Sequence, residues 1–223
     1  MTLLKKVRML PAREQVASIL RSSILSGEIA QGESITLDGI GEQVGMSRTP
    51  VREAFQILAS EGLLELRPNR CAIVKGISPD TIRDHYELRM ILETEALKRA
   101  CERMTSEDLA SLEEINQQGK LAKARGDVST YNLINQAFHM VIWTAAGSEK
   151  LKHFLSLLWN GLSMNKRITA QEYAATSQDE HSEILEKILQ KDSQGACHLM
   201  REHIRHSMES MLMNFHKEDE ARS

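Results

Sequence analysis

Three histidines in the second half of this 223-residue chain each sit on an otherwise apolar helical stripe. His139 follows Asn135 by four residues and shares a face with Phe138 and Ile142. His181 leads Ile184, Leu185 and Ile188, and His203 continues Ala196, Leu199 and Met200 and precedes Ser207. A buried imidazole needs a partner. One solution is a hydrogen-bonded core histidine. Another is convergence of several neutral rings on an ion such as zinc or nickel. The spacing leaves both open. His206, one turn after His203, is placed to support that ring. His153 and His198 fall on polar faces and are expected to be exposed, while His85 fits either class.

A second group suits nucleic acid. The octapeptide SRTPVREA puts Arg48 and Arg52 four residues apart at the start of a helix, flanked by the hydroxyls of Ser47 and Thr49. Pro50 lies in the first turn, where its missing N–H costs nothing. Val51, Ala54 and Phe55 face inward. Such a helix can enter a major groove by its N-terminus. An Arg there can bond guanine O6 and N7 together, and hydroxyls and helix-terminal amides suit phosphate oxygens. Arg67, Asn69 and Arg70 form a basic hairpin tip. The alternative is a solvated face in which Glu53 balances the two arginines.

The elements that must position these residues are mostly helical. Val16, Ile19, Leu20 and Ile24 make a first helix that stops at Gly27. Leu37, Ile40 and Val44 make a short second one. The third begins after Ser47, its expected N-cap, and ends at Gly62. Two short strands, Leu63–Leu66 and Ala72–Val74, flank a turn at Pro68-Asn69. Helix, helix, helix, hairpin is a winged helix-turn-helix order. Lys75-Gly76-Ile77-Ser78-Pro79 marks a boundary, with Ser78 capping the next helix. Beyond it, helices are predicted at 79–103, 105–125, 128–146, 148–168, 171–191 and 193–215. The reading is therefore mainly α: a winged helix-turn-helix domain at 1–77 followed by an all-α helical bundle at 78–223.

Composition narrows the function. Hydrophobic residues are 41% and charged residues 26%, as in ordinary globular domains. Residues 1–77 carry 10 Lys+Arg against 8 Asp+Glu, a net of +2, and residues 78–223 carry a net of −5. Two modules with different partners are expected. No apolar run approaches the roughly 18 residues of a membrane span. The first residues lack the apolar core of a secretion signal. Cys71, Cys101 and Cys197 form no CxxC pattern, so a cytoplasmic protein without disulfides is expected. No HExxH, GxSxG or Gly-rich phosphate loop occurs.

Residues 10–75, through the SRTPVREA core, the EGLLELRP connector and the hairpin spacing, resemble the N-terminal domain of the GntR family of bacterial transcriptional regulators. The remainder is similar to the all-helical FCD domain of that family's FadR branch. The resemblance implies that Ser47, Arg48, Thr49, Pro50 and Arg52 begin the recognition helix and that Asn69 and Arg70 form the wing tip. Cys71 stands where the family wing usually has Gly. Asp38 stands where some members have a basic residue. NQAFH, DEHSEIL and MREHI resemble the three FCD metal motifs, implying Asn135, His139, His181 and His203 as ligands of a divalent metal, zinc or nickel. Asn135 replaces the Asp of many members. By the same resemblance, Arg89 faces the effector cavity and pairs with a carboxylate; the alternative for Arg89 is a surface salt bridge with Glu93. Three neutral rings and no carboxylate leave the ion its full charge, which favours an anionic effector.

The expected function is a ligand-responsive transcription factor and not an enzyme. It binds an inverted-repeat operator in double-stranded DNA as a homodimer and responds to a small carboxylate effector. The alternatives are a constitutive DNA-binding protein with structural histidines and a metal-dependent hydrolase.

Overall fold

The computed structural model describes residues 11–25, 27–68, 71–76, 78–160 and 171–220. The chain divides into two compact units, Met1–Ile77 and Ser78–Ser223.

In the first unit, helix α1 (Ala12–Leu25) packs on α3 (Arg48–Ser60), with α2 (Leu37–Val44) against the start of α3. Val16, Ala17, Leu20 and Ile24 of α1 and Val51, Ala54, Phe55 and Leu58 of α3 are all buried where the two helices pack together. Ile19, expected on that stripe, is 51% exposed. The i, i+4 row through Val16, Leu20 and Ile24 takes the core side and leaves Ile19 outside it. Arg21 is buried and donates through Nε and Nη2 to Glu61 at 2.8 and 2.5 Å, tying α1 to the end of α3. Gly62, at φ 77°, turns the chain out of that helix.

The sheet has three antiparallel strands in the order β1-β3-β2: β1 (Ser34–Thr36), β2 (Leu64–Arg67) and β3 (Cys71–Val74). The hairpin β2–β3 was expected, with ends shifted by a residue. Strand β1 was not expected. Its three residues alternate exposed, buried, exposed, but over too short a run to mark a strand, and its partner lies far along the chain, with Ile35 opposite Ala72. That pairing is a tertiary event which three residues cannot announce.

The second unit is built from α4 (Pro79–Arg103), α5 (Ser106–Arg125), α6 (Val128–Ala145), α7 (Glu149–Asn160), α8 (Gln171–Leu189) and α9 (Ser193–Glu220). Its breaks are chemically plain. The Ser78 hydroxyl accepts from Thr81 N–H, with Pro79 in the first turn. Thr105 and Asp108 form a reciprocal capping box. Gly126, at φ 64°, closes α5, and Asp127 caps α6. Helix α9 runs past its expected end at 215, and the expected stretch 161–168 lies outside the described residues. Helix α4 lies along α9 and also meets α6 and α7, while α8 packs on α9, α5 and α6. Five helices, α4, α6, α7, α8 and α9, thus surround one volume of the bundle.

Candidate nucleic-acid interface and metal centre

The first unit contains a helix, a tight turn and a second helix. Thr36 caps α2 by accepting from Gly39 N–H at 3.1 Å. Gly45, at φ 66°, ends it in the left-handed region. Met46 N–H then donates to Gly41 C=O at 2.9 Å. A Cβ on Gly41 would stand 2.8 Å from the Met46 carbonyl oxygen, so the turn closes on a hydrogen atom. Ser47 holds the N-cap position of α3 in extended backbone, but its hydroxyl makes no capping bond. Ser47, Arg48, Thr49 and Arg52 are exposed and Pro50 is half-buried, while Val51, Ala54, Phe55 and Leu58 anchor the opposite face. Donors therefore line the open side of the helix start.

Arg48 is paired. Its Nε and Nη2 donate to Oδ1 and Oδ2 of Asp38, the second bond at 2.8 Å. On the hairpin, Arg67 lies 2.9 Å from Glu65. Asn69 and Arg70 of the expected wing tip lie outside the described residues.

In the second unit the three histidines converge. His139 from α6, His181 from α8 and His203 from α9 are all buried. The Nε2 atoms of His181 and His203 are 3.3 Å apart, and those of His203 and His139 are also 3.3 Å apart. Their other nitrogens are engaged. His139 Nδ1 bonds Glu93 Oε2, and His203 Nδ1 bonds Glu180 Oε2 at 2.7 Å. Ionised carboxylates only accept, so each Nδ1 carries the proton and each Nε2 of this pair carries a lone pair. Two lone pairs facing at 3.3 Å have no hydrogen between them. A cation there converts a repulsion into two bonds. His181 stacks on Phe138, with ring centres 4.3 Å apart, which fixes its plane.

The electrostatics agree. Burial pushes the pKa of His139 down, against the pull of Glu93. It pushes His181 well below the usual range, with His203, His139 and Arg89 adding to the shift. Neutral rings are what a divalent ion requires. Burial alone would raise the Glu93 carboxyl, but His139 and Arg89 hold it well below its ordinary value. Glu180 is likewise held down, by His203 and His206, against its burial. His206 Nδ1 lies 2.5 Å from Glu180 Oε1, so it supports His203 through that carboxylate. Asn135 Oδ1, one turn from His139, is buried and finds no hydrogen-bond partner among the described residues. An orphaned carbonyl oxygen costs free energy unless something accepts its lone pairs. The donor set of three imidazole nitrogens with a candidate amide oxygen therefore fits a divalent metal.

The profile of the bacterial regulatory proteins of the gntR family matches residues 12–74, and that of the FCD domain matches residues 84–206. The chain belongs to the GntR family. HTH-type transcriptional regulator McbR of Escherichia coli K12 is 25% identical to this GntR-family chain over 207 residues, covering 91% of it and 94% of McbR. HTH-type transcriptional repressor RspR of the same strain is 26% identical, with 90% and 89% covered. The solved structure of E. coli McbR/YncC superposes with a TM-score of 0.72 at 23% identity, covering 94% of this chain and 99% of that one. A metal-free FCD domain of another transcriptional regulator superposes with a TM-score of 0.57 over 64% of this chain. The domains and relatives are those of transcriptional regulators, not of an enzyme. Among the described residues, no helix is long and apolar enough to cross a membrane.

Two expectations for the FCD domain need correction. The Arg89–Glu93 pair exists, but not on the surface: the residues are 4% and 1% exposed. Arg89 Nε and Nη2 donate to Glu93 Oε1 at 2.9 and 2.6 Å, and the guanidinium lies 4.9 Å over the Trp159 ring. The surface reading failed because i, i+4 spacing says which groups meet, not which way the helix faces. Nor would an ion held by these rings keep its full charge, since two carboxylates, Glu93 and Glu180, bond the rings from behind. The signal for Glu93 was available. Ile82, Tyr86, Arg89, Glu93, Ala96 and Ala100 form one buried helical row, so two opposite charges sit at core positions. Glu180 precedes His181 in sequence, and no spacing rule links it to His203. His153 and His198 are exposed, as expected. His85 is half-buried, with its pKa lowered to about 3 by burial and then by Arg89, against Glu93.

Proposed function

We propose that this GntR-family chain is a cytoplasmic, ligand-responsive transcription factor that binds an inverted repeat as a homodimer. The operator is read by α3, through Arg48 and Arg52 with Ser47, Thr49 and Pro50 at its start, and by the wing tip at Asn69 and Arg70. The FCD domain holds one zinc or nickel ion on His139, His181 and His203, with Asn135 as the fourth protein ligand. The observation that carries this reading is the facing of Nε2 lone pairs whose Nδ1 protons are committed to Glu93 and Glu180.

A bound divalent ion supplies a Lewis-acidic point for a carboxylate. The residues of the chain do the remainder. Glu93 and Glu180 hold the tautomers. Trp143 and Trp159 pack beside His139 and exclude water, their rings 6.1 and 5.0 Å from it. Arg89 brings a buried positive charge into the same cluster, which favours an anionic effector over a cationic one. A divalent ion with Arg89, Glu93 and Glu180 leaves the cluster about one positive charge in excess. The excess is smaller than the ligand set alone would give, but its sign is the same. An effector regulates only if it binds the DNA-competent and DNA-incompetent arrangements with different affinity.

Untagged protein purified without chelator is expected to hold one equivalent of metal. A small carboxylate that binds it is expected to change operator affinity by about 5–150-fold. Metal-free protein that cannot be reloaded would return the histidines to a structural role. A loaded protein whose DNA affinity no organic acid alters would remove the effector from the proposal.

A further inference from the structure

Asp38 is the second residue of α2 and Arg48 the first of α3. Their two-point pair bridges the helix-turn-helix on its outer side, with both side chains about half-exposed, 53% for Arg48 and 50% for Asp38. An ion pair so open to water contributes little to folding. Its geometry is more informative than its energy. A guanidinium has five N–H groups in one plane. Asp38 takes the side edge, formed by Nε–H and one hydrogen of Nη2. The adjacent end edge keeps the other hydrogen of Nη2 and one of Nη1. Two parallel donors on that edge match O6 and N7 of guanine.

The geometry points to Asp38 as a positioning residue for base recognition: from α2 it holds the Arg48 guanidinium by its side edge, so that the end edge is presented to guanine before DNA arrives. The inference rests on α3 being the reading helix. A lone Arg at a helix start samples many rotamers and must be ordered on binding, whereas a pre-held Arg has already lost that freedom. Asp38 has an opposite effect on affinity in general. A carboxylate near the phosphate backbone weakens binding to every sequence by a similar factor. Specificity and affinity therefore move in opposite directions when it is removed, and this separates positioning from mere charge.

The test uses a randomised duplex DNA pool, at one fixed salt concentration, with the full-length protein and the variants R48A, D38A, D38N and D38E. Bound fractions are sequenced to give the base preference at each position, and total affinity for the pool is measured beside it. Thermal melts confirm that each variant is folded, as expected for exposed positions. R48A is expected to abolish a guanine preference at one position per half-site. D38A and D38N are expected to weaken that same preference by about two- to tenfold, leave the other positions unchanged, and raise total affinity evenly. D38E, which keeps the carboxylate, is expected to restore part of the preference. If both neutral variants keep the guanine preference whatever happens to total affinity, Asp38 is only a charge and the inference is wrong. If they lose a preference at some other position, Asp38 reads a base itself and the inference is again wrong. If R48A changes no preference, the base-reading role of Arg48 fails first, and the positioning role with it.

Discussion

Glu93 accepts from two sides, and that makes Glu93→Gln the sharpest perturbation of the proposed metal centre. Oε1 takes two N–H groups of Arg89, and Oε2 takes His139 Nδ1 and Trp143 Nε1, the last at 3.2 Å. An amide of the same size has one acceptor oxygen and one NH2. If its oxygen faces Arg89, its NH2 meets His139 Nδ1–H, donor against donor. The ring escapes only by moving its proton to Nε2, the atom that should bind metal. If the oxygen faces His139, the buried Arg89 loses its counter-charge. Breaking a buried pair from one side costs about 3–5 kcal/mol. The retained carbonyl places the loss near the lower end, about 3 kcal/mol. Removing the carboxylate that orients a metal-bound histidine typically costs about 10–100-fold in metal affinity. Urea unfolding of chelator-stripped protein measures the first number, and zinc competition against a chromophoric chelator measures the second. Arg89→Met is the control: it should lower stability while leaving the His139 tautomer, and so zinc affinity, intact. If Glu93→Gln bound zinc as the native protein does and unfolded within about 1 kcal/mol of it, the tautomer argument would be refuted.

Other outcomes follow from the same contacts. His181→Ala should lose the metal and, by emptying a buried site against Phe138, cost about 2–4 kcal/mol; retention of one equivalent by elemental analysis would count against its role as a ligand. His85 has a folded pKa of about 3 against an ordinary 6.5. Between those values the unfolded chain binds the extra proton, so stability falls as pH drops from about 6.5 towards 3, by up to about 1.4 kcal/mol per pH unit. His85→Gln should flatten that slope in melts between pH 6.5 and 4, and an unchanged slope would show that His85 is not buried neutral. Gly41→Ala should destabilise the first unit by about 1–3 kcal/mol, because the new methyl meets a backbone oxygen that cannot swing away; equal urea midpoints would show that the turn has room.

Local signals carried most of the fold. Ser78-Pro79, Thr105 with Asp108, and Gly126-Asp127 announce helix ends because their bonds span three or four residues. The three histidines were legible for a similar reason: each interrupts an apolar row on its own helix. Their partners were less so. Glu93 sits on the buried row of α4, yet nothing in a row says which ring on α6 it will meet, and Glu180 reaches α9 by packing alone. Strand β1 and the outward turn of Ile19 are also tertiary decisions, settled by what packs from a distance. The Asp38–Arg48 pair crosses a tight turn between residues ten apart, beyond any single-helix periodicity.

The two indoles of this chain have an optical consequence. Both tryptophans, Trp143 and Trp159, lie against His139, and their rings meet edge to face at 5.6 Å. The DNA-reading unit has none. Excited selectively, the protein therefore emits from the rim of the histidine cluster and nowhere else. A filled-shell ion such as zinc can change this emission only by shifting the packing of the rings. An open-shell ion such as nickel, a few ångströms away, also drains the excited state and darkens it. Native emission can thus report on occupancy of the helical unit without a label, while a dye on the DNA duplex reports operator binding in the same cuvette. The order of the two events can then be timed directly.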